Sequence, residues 1–237
     1  MTDQKINSDF SKALRDIAQD LQGYAQYLKR LGYEGVPLPE GAMNLSTPMN
    51  KGGGAETLEM IRKDLGDCRR CPLHQGRRHI VFGMGDLHAQ LVLVGEGPGY
   101  EEDLQGLPFV GQAGQLLTKI LEAIHLTREE VYIGNIIKCR PPKNRNPAPE
   151  EIAACLPFLQ RQIRAIRPRF ICALGTFAAQ TLLQTQRPIS RLRGHFRDYE
   201  GIPVLPTYHP AFLLRNPAKK RDVWEDMQKL QAAYEKG

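Results

Sequence analysis

Strand-like apolar runs that alternate with helical periodicity constrain this fold more than any other feature of the chain. Residues 90–94, 131–133, 170–174 and 204–205 are short and apolar, rich in Val, Leu and Ile. Helical spacing follows over 114–125, where Leu116, Leu117, Ile120, Leu121 and Ile124 share one side, and then over 150–166, 176–183 and 218–234. A further helix runs from near Ala55 toward Asp67. Strands this apolar leave no face for water, so the pattern predicts a parallel sheet covered on both sides. The expected fold is a three-layer α/β/α domain with a central four-stranded, mainly parallel sheet. Ligands of such sheets bind beyond the carboxyl ends of the strands. Gly95, Asn135, Gly175 and His209 each follow a strand and stand there.

The chain before this domain reads differently. Phe10, Leu14, Ile17, Leu21, Tyr24, Leu28 and Leu31 form one apolar seam, predicting an amphipathic helical extension over 1–34 that buries its stripe on the domain, a protein partner or its own copy. Residues 35–54 are rich in Gly and Pro and read as a flexible linker, which leaves 55–237 as the main domain. No apolar run approaches the roughly 18 residues that would span a bilayer, so no membrane partner is expected. The start lacks the apolar core of a signal peptide, and the chain is read as cytoplasmic. Its 32 Lys and Arg against 26 Asp and Glu give a net charge of +6, which suits a polyanionic partner or simply a basic surface.

Cytosolic thiols stay reduced, so five cysteines call for something other than disulfides. Cys68 and Cys71 form one C-x-x-C turn, while Cys139 and Cys155 arrive singly from distant segments. Two paired knuckles would favour zinc; one pair plus two dispersed ligands suits zinc or an iron–sulfur cluster equally. Each could instead be a small buried hydrophobe, the preferred reading for Cys172 amid Phe170, Ile171 and Leu174.

Three loops carry chemistry-bearing residues. Gly95-Glu96-Gly97-Pro98-Gly99 lacks the Lys of a P-loop and is followed by Glu101, Glu102 and Asp103, which disfavours phosphate binding. Phe109, in the glycine-rich segment 106–114, can stack on a planar ring or serve as core. Asn135 offers a donor and an acceptor to a nucleobase edge, or forms a turn. His209 can donate to a charged leaving group, although a lone histidine is more often structural.

The ordered set Cys68-x-x-Cys71-Pro72-Leu73, Gly95-Glu96-Gly97-Pro98-Gly99, Pro108-Phe109-Val110-Gly111, Asn135-Ile136-Ile137-Lys138-Cys139-Arg140-Pro141-Pro142, Cys155 and His209-Pro210 resembles the family 4 uracil-DNA glycosylases, the iron–sulfur branch of their superfamily. The resemblance runs from about Asp64 to Leu230. It implies a base-excision repair enzyme that flips uracil out of double- or single-stranded DNA and hydrolyses its glycosidic bond. It further implies that Phe109 stacks on uracil, Asn135 pairs with its N3 and O4 edge, and His209 donates to O2. Glu96, Gly97 and Pro98 would contact uracil and water, Glu102 would lie near C5, and Cys68, Cys71, Cys139 and Cys155 would hold a [4Fe–4S] cluster.

For the DNA itself, Phe212, Leu213 and Leu214 could fill the vacated stack, and Arg191, Arg193, Arg215, Lys219, Lys220 and Arg221 are candidate phosphate contacts. The best-known branch of the superfamily has a water-positioning Asp where Gly97 stands. Another branch traps uracil-DNA covalently through a histidine before its last cysteine. Residues 140–154 contain no histidine, so turnover is expected. A reading of a different class is a non-catalytic iron–sulfur module that binds DNA or carries electrons; it leaves Phe109, Asn135 and His209 without a role.

Overall fold

The computed structural model describes residues 56–236. The expected N-terminal helix over 1–34 and the linker over 35–54 lie outside the described residues. The first described helix, α1 (Leu58–Leu65), is capped by Thr57, whose hydroxyl accepts the Met60 N–H at 3.2 Å. A serine-like cap of this kind satisfies an N–H that the first turn leaves free. The chain then passes through β1 (Met84–Gly85), β2 (Leu91–Gly95), α2 (Tyr100–Gln105), α3 (Gln112–Glu122) and β3 (Tyr132–Asn135). It continues through α4 (Pro149–Ile166), β4 (Phe170–Leu174), α5 (Thr176–Leu183), α6 (Ile189–Leu192), β5 (Arg197–Tyr199), β6 (Ile202–Thr207), α7 (Pro210–Arg215) and α8 (Lys220–Glu235).

The sheet has six strands in the order β1-β3-β2-β4-β6-β5, which corrects the expected four. The four anticipated strands form its parallel centre, and the two additional ones pair antiparallel at the edges. Strand β1 spans two residues, and β5 exposes Arg197 and Asp198. Runs so short and polar carry no apolar period; their conformation is set by hydrogen bonding to β3 and β6.

Alternation along the strands builds the two outer layers. Val92, Val94, Ile171 and Ala173 face one core with Ile61 of α1, Leu159 of α4, Leu182 of α5 and Leu192 of α6. Leu91, Leu93, Cys172 and Leu174 face the other with Leu117 and Leu121 of α3, Leu213 of α7 and Met227 of α8. Each Val, Leu, Ile or Met among them stabilises the fold by about 1.5–3 kcal/mol through burial, and together they fix the sheet between its helices. In register, Gly95 lies beside Asn135, and Leu174 beside Thr207. The carboxyl ends of the four parallel strands therefore open onto one side of the domain. No helix among the described residues is long and apolar enough to cross a membrane.

Candidate active site

A cavity of about 540 Å³ lies at those strand ends, lined among others by Glu96, Gly97, Pro98, Glu102, Phe109, Asn135 and His209. Asn135 ends β3 and is 1% exposed, and its side-chain oxygen Oδ1 has no hydrogen-bond partner. An unmatched buried acceptor costs about 1–3 kcal/mol, and no protein group among the described residues supplies the donor here. Gly95 makes the room: a Cβ on it would fall 2.4 Å from Asn135 Oδ1 and 2.7 Å from Phe109 Cζ.

Phe109 is buried and adopts φ +54, a left-handed conformation that costs a bulky residue roughly 1–2 kcal/mol. Two features hold it. The Glu102 carboxylate accepts the N–H groups of Val110 at 2.8 Å and Gly111 at 2.9 Å. Gly114 lets α3 begin directly against the loop, since a Cβ there would lie 1.8 Å from the Phe109 carbonyl oxygen. The other oxygen of Glu102 accepts the Gly99 N–H at 3.1 Å. Glu102 thus ties the loop after β2 to the Phe109 loop.

His209 opens α7, and its Nδ1 accepts the Ala211 N–H at 3.1 Å. In the neutral ring that bond leaves the proton on Nε2. Burial, with the Arg215 charge adding, pushes the imidazole down to about 4, although Glu102 opposes this. The ring is therefore uncharged at neutral pH. Gly175, at φ +92, lets β4 pass close by, because a Cβ there would lie 2.9 Å from His209 Cβ. The Phe109 and His209 rings stack with centroids 5.5 Å apart. A third ring between them would need roughly 7 Å, twice the carbon contact distance, so a planar ligand must use the other face of Phe109.

Three glutamates follow β2 and differ sharply. Glu102 is committed to backbone N–H groups. Glu101 is exposed, and Glu96 lines the cavity half-buried, its carboxyl raised by desolvation. Gly97 packs so closely that a Cβ would meet Ile137 Cγ1 at 2.7 Å, so any side chain at this position would have to displace Ile137. The cavity also reaches Asn144, Arg145, Asn146, Thr176 and Phe177, residues the sequence reading did not single out. Arg145 adjoins Pro-rich turns and Phe177 sits in a helical apolar pattern, so neither carries a sequence signal for a pocket.

The rim candidates divide. Arg191 and Arg215 are exposed, as is Lys220. Arg193 instead grips the buried Asp226 through Nη2 at 2.7 Å and Nε at 3.0 Å. Lys219 and Arg221 pair with Asp222 and Glu225. Leu213 is 1% exposed and belongs to the core, whereas Leu214 projects at 42%.

The cofactor expectation is corrected. All five cysteines are free, and among the described residues no group of three or more His, Cys, Asp or Glu side chains could hold a metal ion. The [4Fe–4S] cluster expected on Cys68, Cys71, Cys139 and Cys155 has no site of that kind, nor does an iron–sulfur redox module. Burial pushes the Cys139 thiol up to about 11 and raises Cys71 and Cys155 as well, with neighbouring cysteines adding to it. The sulfurs act here as hydrogen-bond acceptors: Cys139 from Arg77 at 3.4 Å and Cys155 from the Lys138 N–H at 3.2 Å.

Comparison with known proteins supplies the family. The model of the uracil DNA glycosylase superfamily matches residues 82–229. The type-4 uracil-DNA glycosylase of Thermotoga maritima is 45% identical over 185 residues, covering 76% of this chain and 96% of that protein. Its counterpart in Archaeoglobus fulgidus is 44% identical over 183 residues, covering 74% and 92%. The counterpart in Saccharolobus solfataricus is 41% identical over 187 residues, covering 75% and 87%. With its glycine-walled cavity at the strand ends, the chain belongs to the uracil-DNA glycosylase superfamily, in its type-4 branch.

Proposed function

We propose that this chain is a DNA repair enzyme that removes uracil from DNA by hydrolysing the N-glycosidic bond, leaving an abasic site. The observation that carries the reading is the buried, unmatched Oδ1 of Asn135. It faces the pocket beside an aromatic ring, where the N3–H of uracil can donate to it while the amide nitrogen donates to O4. A side chain 1% exposed lies beyond reach of a base inside a duplex, so the nucleotide must leave the stack. Flipping costs roughly a few kcal/mol, which stacking on Phe109 and the Asn135 pair offset.

Cleavage of the C1′–N1 bond leaves positive charge on the sugar and negative charge on the base, shared between O2 and O4. His209 meets O2 with its Nε2–H while remaining neutral, so it stabilises the anion as a hydrogen-bond donor without having to give up a proton. A preorganised donor of this kind lowers the barrier by ~3 kcal/mol. Glu96 is the carboxylate that accepts a proton from the attacking water. It lines the cavity, and its raised pKa makes it a better base than an exposed glutamate. Glu102 acts by holding the Phe109 loop. DNA is the macromolecular partner; Leu214 and Phe212 take the place of the flipped base, and Arg191 and Arg215 meet phosphates.

The test is uracil release from a deoxyuridine oligonucleotide under single-turnover conditions. The wild type releases uracil, while Asn135→Ala, His209→Ala and Glu96→Gln each slow release by about 10²-fold or more. A folded wild-type protein that releases no uracil sinks the reading. A denaturation-resistant protein–DNA adduct would replace turnover with trapping.

A further inference from the structure

Lys138 is 1% exposed, and its Nζ donates to two neutral oxygens, the Asn135 carbonyl at 2.9 Å and Gln162 Oε1 at 2.7 Å. An ammonium group in such a place carries a large desolvation penalty, and a methionine would fill the space without it. What the charge holds is therefore informative. The peptide unit joining Asn135 to Ile136 is gripped at both ends. Its N–H donates to the Gly95 carbonyl at 3.0 Å, and its C=O accepts from Lys138. Gln162, fully buried on α4, anchors the lysine in turn. Its amide nitrogen donates to the Phe82 carbonyl at 3.0 Å and to the Tyr132 hydroxyl at 3.1 Å, at the beginning of β3.

We infer that Lys138 is a positioning residue, fixing through the Asn135 carbonyl the direction in which the Asn135 amide enters the pocket. Strand β3 ends at Asn135, so apart from the Ile136 N–H bond to Gly95 it is Lys138 that holds this peptide. Without the lysine the peptide is held by its N–H alone, and its tilting shifts the Asn135 Cα and carries the amide away from the base edge. Misplacement by about an ångström is enough to cost a large part of the rate. The inference rests on the proposed reading of Asn135 as the residue that recognises the base. Gln162 extends the device by linking helix α4 to both ends of the strand that delivers the amide.

The experiment compares Lys138→Met in two backgrounds, wild type and Asn135→Ala, by single-turnover uracil release. With Asn135 present, the substitution is expected to lower the rate by about tenfold or more. Affinity for product DNA carrying an abasic site, which has no base to read, stays within about twofold. In the Asn135→Ala background the same substitution costs less than about twofold, because the group it positions is gone. Equal losses in both backgrounds would mean general structural damage and overturn the assignment. Should Lys138→Met not fold, Gln162→Met in the same two backgrounds decides: a loss confined to the Asn135 background supports it, and additive losses overturn it. An active wild type with additive variants rejects the role of Lys138 alone, whereas an inactive wild type rejects the proposed function and this role with it.

Discussion

The bond from the Ala211 N–H to His209 Nδ1 and the burial of that ring act together, one choosing the tautomer and the other removing the charge. A protonated ring would lose the Ala211 bond, because Nδ1 would become a second donor facing an N–H. The consequence for stability has a definite sign. The ring titrates at about 4 in the folded protein against 6.5 ordinarily, so between those values the unfolded chain binds the extra proton. The contribution is complete above 6.5 and is lost as pH falls toward 4, amounting to roughly a few kcal/mol at most. Urea unfolding near pH 7 and near pH 4.5 should show a larger acid loss in wild type than in His209→Asn, which has no imidazole to protonate. Identical losses would mean that the ring titrates normally. The excision rate should likewise show no inflection at the ordinary histidine pKa.

At the scale of elements, Glu102 is the residue that joins two loops around the cavity. The family resemblance implies a place for Glu102 near C5 of the base; in the structure it lines the cavity, and both its oxygens take backbone N–H groups from two loops. That arrangement is not legible in a sequence, because the Phe109 loop folds back onto the first turn of α2 only in three dimensions. The strands of the parallel centre were legible, since burial on both faces leaves continuous apolar runs. The edge strands were not, because their pairing comes from neighbours. Asn135 and His209 stood out by following strands, but the glycines that make room around them did so only in part. Gly95 and Gly175 are needed for what a Cβ would strike across the sheet ends. Glu102→Gln replaces an acceptor with an NH₂ group that must face an N–H. It should lower stability by about 2 kcal/mol and slow uracil release by about tenfold through the loosened Phe109 loop, while thymine in DNA stays uncut. Thymine release at unchanged stability would return Glu102 to the C5 side of the base.

For the whole molecule, the sequence has a net charge of +6, but that total does not say which cations are available to DNA. The structure separates them. Arg193 is folded against the fully buried Asp226, which also accepts the Thr207 hydroxyl at 2.7 Å, so the pair joins α8 to the end of β6. Arg215 lies on the rim of the cavity, exposed, and close enough to His209 to help lower its pKa. A phosphate contact releases counterions, and each one steepens the dependence of log affinity on log salt by about 0.9 for duplex DNA. Arg215→Ala should therefore weaken DNA binding at low salt and reduce the slope by about one contact, with little change in melting temperature. Arg193→Ala should do the reverse. It leaves the slope unchanged and strands a buried carboxylate, a loss of about 3–5 kcal/mol when the pair is fully buried and less here, where the arginine is 19% exposed. Titrating DNA into both variants over a range of salt concentrations, alongside thermal melts, separates the two cations. A slope change in Arg193→Ala without loss of stability would show that this arginine leaves Asp226 to meet the backbone of DNA.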